Sequence, residues 1–438
     1  MLSRRNFIKL TAVVPLVVAG VSHRWRNSSG GAPSGGPPPG GPPPGGPPPE
    51  VRVESAPNEE LSLPNDIPIE VTDDALTQRV LSELAVFTNW LDANNVKGIV
   101  SEVGWPGDRD VAEWSALAER WYQAADAAGL WVIQFTTGAQ SYYGSDPYKM
   151  LVYRRSGMSW PDGGIDTVGT QAPVLEAHLS TPTYRRGITV AGGDWSDTDA
   201  GDSWMGEPPT FSNANPGTYG ADWPTGWRYE TQASFDFLAS RGIDTVRVGF
   251  KWERLQPSLW QELQPTELQR IKAVVEIAGN VGIGVILDLH DYGDYYAYDG
   301  GKRERHPLGS HRLPVSAFEN VWGRLAREFS GDPRVIAYGL MNEPHDLNDN
   351  YEGLTHSSLW EHASQRATMA IRSTGDTKMV HVPGYGWSHV QVWTTHHPAP
   401  WITDPADNFL YDAHHYWDRD HSASYALSYA EEVLAAQT

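Results

Sequence analysis

The chain has 438 residues with a formal charge of −21, 19 Trp and no Cys. The charge excludes a nucleic-acid partner, whose phosphates need a basic footprint. The missing Cys excludes disulfides, thiolate nucleophiles and Cys-based zinc sites. Flat aromatic rings stack on the apolar faces of sugars. The Trp content therefore points to a carbohydrate cleft, with most of the rings expected in packing.

In chain order, Ser3-Arg4-Arg5-Asn6-Phe7-Ile8-Lys9 and the apolar run 10–21 read as a twin-arginine export signal over residues 1–26. The expected location is secreted or cell-envelope. The run is short for a membrane span, so the only membrane association expected is an anchor formed by an uncleaved leader. Residues 27–50 repeat Gly-Gly-Pro-Pro-Pro and form neither a helix nor a packed core; they read as an extended spacer. The remainder, 51–438, has the size of one large decorated barrel or of two medium domains, and is expected to be one catalytic domain.

From Thr72 onward helical and strand signals alternate. The apolar rhythm predicts helices at 73–94, 111–128, 231–241, 265–281, 317–329, 359–373 and 425–436. Buried-strand runs are predicted at 96–103, 130–136, 188–191, 245–250, 284–290, 335–342, 379–382 and 409–415. The stretches 138–182 and 192–230 read as long irregular loops. Eight strands alternating with helices imply a TIM barrel, whose active site lies at the C-terminal ends of the strands.

The candidate chemical residues fall at those ends. The run Val335 to Met341 stops in Asn342-Glu343-Pro344, and because Pro344 cannot extend a ladder, Glu343 is expected at a strand end. Arg247 lies within an apolar strand and needs a carboxylate partner there. Two further strands close on His290 and on His414-His415-Tyr416. Ser101-Glu102-Val103-Gly104 ends another strand, near the start of the domain. Glu253, Asp288, Asp291, Asp294, Asp346 and Asp418 also fall near the rim and are expected to be structural or sugar-binding.

These motifs resemble glycoside hydrolase family 5, the cellulase and mannanase family. Arg186-Gly187-Ile188, Arg247, His290, Asn342-Glu343-Pro344-His345-Asp346, Val382-Pro383-Gly384 with Trp387, and His414-x-Tyr416 follow the family's first six strands in order. The family's seventh and eighth strands resemble 96–106 and 121–138, which here come first. The resemblance thus implies a circularly permuted (β/α)8 TIM barrel, with strands seven and eight preceding strands one to six. It also implies that residues 61–73 lie beside the C-terminal end.

The resemblance makes Glu343 the general acid and base and Glu102 the nucleophile of a retaining endo-β-1,4-glucanase. Arg247 would orient Glu102, His414 and Tyr416 would order both carboxylates, and Asn342 would bind a sugar 2-hydroxyl. His290, Trp387 and Phe135 would line the sugar subsites. Two positions depart from the family pattern: Ser101 replaces the usual Gly and Phe135 the usual Trp. Trp131, Tyr142 or Tyr143 is then expected to supply the missing platform. The partner expected is a β-linked polysaccharide and the assembly a monomer. No cofactor is expected, and without a His-Glu-x-x-His signature no catalytic metal. The alternatives are a β-mannanase or another β-glucanase, an inactive carbohydrate-binding barrel, and a tail of one barrel fused to the head of another.

Overall fold

A computed structural model describes residues 74–138, 149–156, 163–194, 211–220 and 226–438. Eight parallel strands close into one barrel: β1 (Gly98–Gly104), β2 (Trp131–Gly138), β3 (Arg186–Ala191), β4 (Thr245–Phe250), β5 (Gly284–Leu289), β6 (Val335–Gly339), β7 (Met379–Pro383) and β8 (Phe409–Tyr416). Each pairs with its neighbour in sequence, and β8 pairs with β1 to complete the ring. This is the (β/α)8 barrel expected from the alternating signals. Two incomplete sheets, as a fused head and tail would give, are not what forms.

The main outer helices are α1 (Ala75–Asn94), α2 (Val111–Ala127), α3 (Gln232–Ser240), α4 (Pro265–Asn280), α5 (Val315–Phe329), α6 (His356–Arg372) and α7 (Tyr429–Ala435). The sequence of α1 shows why it forms. Leu76, Val80, Leu84, Phe87 and Leu91 recur every three or four residues and are buried as one stripe. Asp74 caps its start by accepting from Thr77 N at 2.7 Å, and Asn95 ends it in the left-handed region at φ +52°. Between β8 and β1 stand two helices, α7 and α1. They touch where the Tyr429 hydroxyl donates to Asp74 Oδ2 at 2.8 Å. Residues 61–73, expected beside this point, lie outside the described residues.

Apolar side chains fill two compartments. One lies between strands and helices and holds most of the core, including eight fully buried Trp rings. The other is the floor of the barrel, where Ile99, Ile133, Ile286, Ala337 and Leu410 meet, with Trp131 and Met379 packed against them. Alternation along a strand returns the chain to the same face every second residue. One such step above the floor the positions become Ser101, Asp288, His381 and Asp412, all buried, with Arg247 among them. The barrel is therefore dry below and charged above. Gly339 is needed in this layer, since a Cβ there would stand 2.6 Å from Asp288 Oδ1.

Several expectations change. β6 ends at Gly339 rather than at 342, although Leu340 N and Asn342 N still donate to His381 O and Leu289 O, and Glu343 beyond them takes φ +43°. Glu343 is thus on the loop above β6, not at the strand end. Likewise β5 ends at Leu289, one residue before His290. An antiparallel hairpin, Asp294–Asp299 with Lys302–Pro307, rises beyond β5 where no strands were predicted; its turn is Gly300-Gly301, both at positive φ. The stretch 138–182 also carries a short helix, Ala172–Ala177. Among the described residues no helix is long and apolar enough to cross a membrane.

Candidate active site

Glu102 lies on β1 directly beside His414 of β8. A register shift between Val100 and Glu102 lets two successive side chains, Ser101 and Glu102, both reach partners from other strands. Both oxygens of Glu102 are held. Arg247 Nη1 donates to Oε1 at 2.6 Å and the Tyr416 hydroxyl donates to Oε2 at 2.6 Å. Burial pushes this carboxyl up, but His414, Arg247, His290 and the Tyr416 hydroxyl outweigh it and hold it at about 2. Glu102 is therefore an anion at neutral pH, fixed in orientation.

Arg247 is the centre of the polar layer. Besides Glu102, its Nη2 donates to Asn342 Oδ1 at 2.6 Å and pairs with Asp288 Oδ2 at 2.9 Å. Burial opposes its charge, yet Asp288, Glu102 and Asp412 raise its pKa well above the usual guanidinium value. The buried arginine thus has the carboxylates that its place in an apolar strand demanded. Asn342 spends its carbonyl on Arg247, which leaves its amide N–H groups for a ligand.

Glu343 stands on the loop above β6. Its Oε1 lies 2.7 Å from His414 Nδ1, and the same nitrogen is 3.6 Å from Glu102 Oε2. One ligating atom each from Glu102, Glu343 and His414 fall within 4.8 Å of one another. These three could in principle ligate a cation, but Arg247, Tyr416 and the histidine–carboxylate contact already engage their facing atoms. His414 is buried, which lowers its basicity, but Glu102, Glu343 and Asp412 raise it further than burial lowers it. Its other nitrogen, Nε2, is 3.1 Å from Ser101 Oγ.

The remaining expected residues gather around this pair. His290 has Nδ1 2.9 Å from Asp288 Oδ2 and Nε2 3.4 Å from the Tyr292 hydroxyl. Burial lowers the basicity of His290, but its bond to Asp288 and the charge of Asp194 raise it more. Trp387 is 43% exposed, the profile of a ring offered to a ligand, and stacks on His345 at 4.2 Å with 17° between planes. His345 Nδ1 is in turn 2.9 Å from the Glu343 carbonyl, so this platform is tied to the Glu343 loop. Phe135 is partly buried and meets Tyr416 edge to face at 6.2 Å.

The other rim carboxylates have structural partners. Asp291 Oδ2 accepts from Trp252 N at 2.6 Å, and Asp294 Oδ2 accepts from Arg305 at 2.5 Å. Glu253 accepts from Tyr296 N, and Asp418 holds the turn at Ala423, Ser424 and Tyr425. Asp346 lies at a loop bend at φ +47°, where its backbone carbonyl accepts from Arg305 at 3.3 Å. Trp131 does not supply the platform that Phe135 lacks. It sits at the start of β2, in the apolar floor, at the opposite end of the barrel from Glu102. Tyr142 and Tyr143 lie outside the described residues. Sequence reasoning passed over His345 as the support of Trp387, although it belongs to the Asn342 to Asp346 motif. It also treated Ser101 only as a departure.

The family model Cellulase (glycosyl hydrolase family 5) matches residues 208–437. The chain is 31% identical over 215 residues to "Manganese dependent endoglucanase Eg5A" of Phanerodontia chrysosporium, covering 47% of this chain and 51% of that protein. It is 27% identical over 233 residues to "Endoglucanase gh5-1" of Neurospora crassa, covering 52% and 54%. The chain thus spans about half the length of these relatives. Among solved structures it is similar to endoglucanase Cel5A of Pseudomonas stutzeri, with 31% identity, 55% of this chain and 64% of that one covered, and a TM-score of 0.44.

Proposed function

The chain belongs to the cellulase family, glycosyl hydrolase family 5, and on that premise we propose that it is a retaining endo-β-1,4-glucanase with Glu102 as nucleophile and Glu343 as acid and base. One observation carries the reading. Glu102 lies outside the family-matched residues, yet the barrel brings one of its carboxylate oxygens to within 4.8 Å of an oxygen of Glu343, which lies inside them. Retaining pairs have their carboxyls about 5–5.5 Å apart, whereas inverting pairs leave about 6.5–9.5 Å for a water.

The chemistry is a double displacement. Glu102, already ionised, attacks the anomeric carbon while Glu343 gives its proton to the glycosidic oxygen, and the C–O bond to the leaving sugar breaks. The product is a glycosyl ester on Glu102. Glu343, now a carboxylate, takes a proton from water as that water attacks the same carbon and releases Glu102. Two inversions give net retention. Arg247 and Tyr416 keep Glu102 anionic and aimed. The Asn342 amide reaches for the sugar 2-hydroxyl, while His290, Trp387 and Phe135 flank the chain of sugars.

Replacing Glu102 by Gln tests this. Hydrolysis of soluble cellulose derivatives is expected to vanish while oligosaccharide binding persists, and unchanged hydrolysis would refute the assignment. The same wild-type assay on mannan and mixed-linkage glucan separates the glucanase from a mannanase.

We read the chain order as a circular permutation. Support comes from the closure of β8 onto β1, from Glu102 preceding the family-matched residues, and from the Tyr429–Asp74 contact between the last helix and the first. A gene that joins Thr438 to Asp74 and opens within 178–185 is expected to give an active enzyme; a product that cannot fold would count against it. Residues 1–26 are proposed as a twin-arginine leader and 27–50 as a spacer before the domain at 51–438. Replacing Arg4 and Arg5 by Lys should trap the protein inside the cell.

A further inference from the structure

Ser101 immediately precedes Glu102, and its side chain is fully buried. Its backbone N–H donates to Asp412 Oδ1 at 3.2 Å, and its hydroxyl lies 3.1 Å from His414 Nε2. A buried hydroxyl donates to an acceptor where one is in reach. Neutral imidazole carries one proton, on one nitrogen only. If Nε2 accepts the serine proton, the ring proton must sit on Nδ1. That is the nitrogen 2.7 Å from Glu343 Oε1 and 3.6 Å from Glu102 Oε2. The other tautomer would turn a bare lone pair toward both carboxylates.

We propose that Ser101 is a positioning residue that holds His414 as the Nδ1–H tautomer. The imidazole then donates to Oε1 of Glu343 and leaves the second oxygen of that carboxyl to carry the proton for the leaving group. The inference rests on the reading of Glu102 and Glu343 as the catalytic pair. Through the cycle Glu343 loses this proton to the glycosidic oxygen and regains one from water, while the histidine proton stays on Nδ1. When the ring is charged, Nε2–H donates to the serine oxygen instead. The hydroxyl serves both states by rotating, which neither Gly nor Ala can do.

The carboxylates facing the ring come from three elements: Glu102 on β1, Glu343 above β6 and Asp412 on β8 itself. His389, on the loop after β7, faces it as a like charge whenever protonated. The three carboxylates favour the charged ring, in which Nδ1 is protonated whatever Ser101 does. Only above the pKa of His414 does the tautomer depend on the hydroxyl.

The test is therefore a pH profile. S101A is expected to match the native kcat on the acidic side and to lose about tenfold on the alkaline side, so that its alkaline limb moves to lower pH with KM little changed. S101T, which keeps the hydroxyl, should restore the native profile. A native profile in S101A, or a loss equal at every pH, would overturn the proposal. Should S101A fold poorly, ¹⁵N shifts of His414 in histidine-labelled native enzyme read the tautomer directly. A proton on Nδ1 of the neutral ring supports the proposal and one on Nε2 refutes it. Turnover persisting in both E102Q and E343Q would instead sink the catalytic assignment, whatever the tautomer.

Discussion

Glu102 and Glu343 share a histidine but live in different surroundings. Glu102 is on a strand inside the barrel, 5% exposed, with a guanidinium on one oxygen and a phenol on the other. Glu343 is on a loop, 14% exposed, with one oxygen on His414. The first surroundings fix a charge and the second leave a carboxyl that can meet a substrate and exchange a proton. On the proposed reading a nucleophile and an acid need opposite things, and the barrel would supply them by placing one below its rim and the other above it. The difference teaches that the proposed roles would follow from the height of each carboxylate along the barrel axis as much as from its neighbours.

The largest test of that contrast compares the two amide variants. E102Q should lose turnover by a factor on the order of 10⁴ or more on every substrate. E343Q should lose about 10²–10⁴ on polysaccharide but far less on aryl glycosides whose leaving group needs no proton, with added azide restoring release of the enzyme ester. Equal losses on both substrates would erase the distinction. Arg247→Ala comes next. It leaves Glu102 and Asp288 buried without their cation, at a cost of about 3–5 kcal/mol in denaturant unfolding.

The pH dependence follows with its sign. The lowered carboxyl of Glu102 stabilises the native state above its ordinary value of 4.5, and this contribution is lost as pH falls through about 2. Removing Arg247 raises that pKa, so the acidic limb of kcat/KM should move to higher pH. Tyr416→Phe removes one hydrogen bond to the same anion, worth about 1.5–3 kcal/mol. Its kcat should fall by roughly ten- to a hundredfold by the same conversion, with a smaller shift of the acidic limb in the same direction. The smallest effect is expected on the open side of the site. Trp387→Ala should raise KM about fivefold, near 1 kcal/mol of stacking, and leave kcat and the pH profile in place.

Much of this was legible in the chain because buried charges on apolar strands are costly and so carry information. Arg247 demanded a carboxylate and found Glu102 and Asp288. The eight strands could be read from their apolar runs, and the barrel from their alternation with helices. Side-chain pairings across strands could not be read, since they depend on register. Glu102 stands opposite His414 only because β1 shifts by a residue beside β8, while Ser101 keeps its hydroxyl on the same ring. The ends of β5 and β6 were placed one and three residues too far, because the apolar run continues past the last paired residue. The hairpin after β5 was missed although Gly300-Gly301 between aromatic and basic runs marks such a turn.

The most direct test traps the intermediate. A 2-fluoro glucosyl donor with an activated leaving group slows release of the ester, and mass mapping of the digested enzyme locates the sugar. The label is predicted on the peptide containing Glu102. A label on a peptide containing Glu343, Asp288 or any other carboxylate would contradict the account.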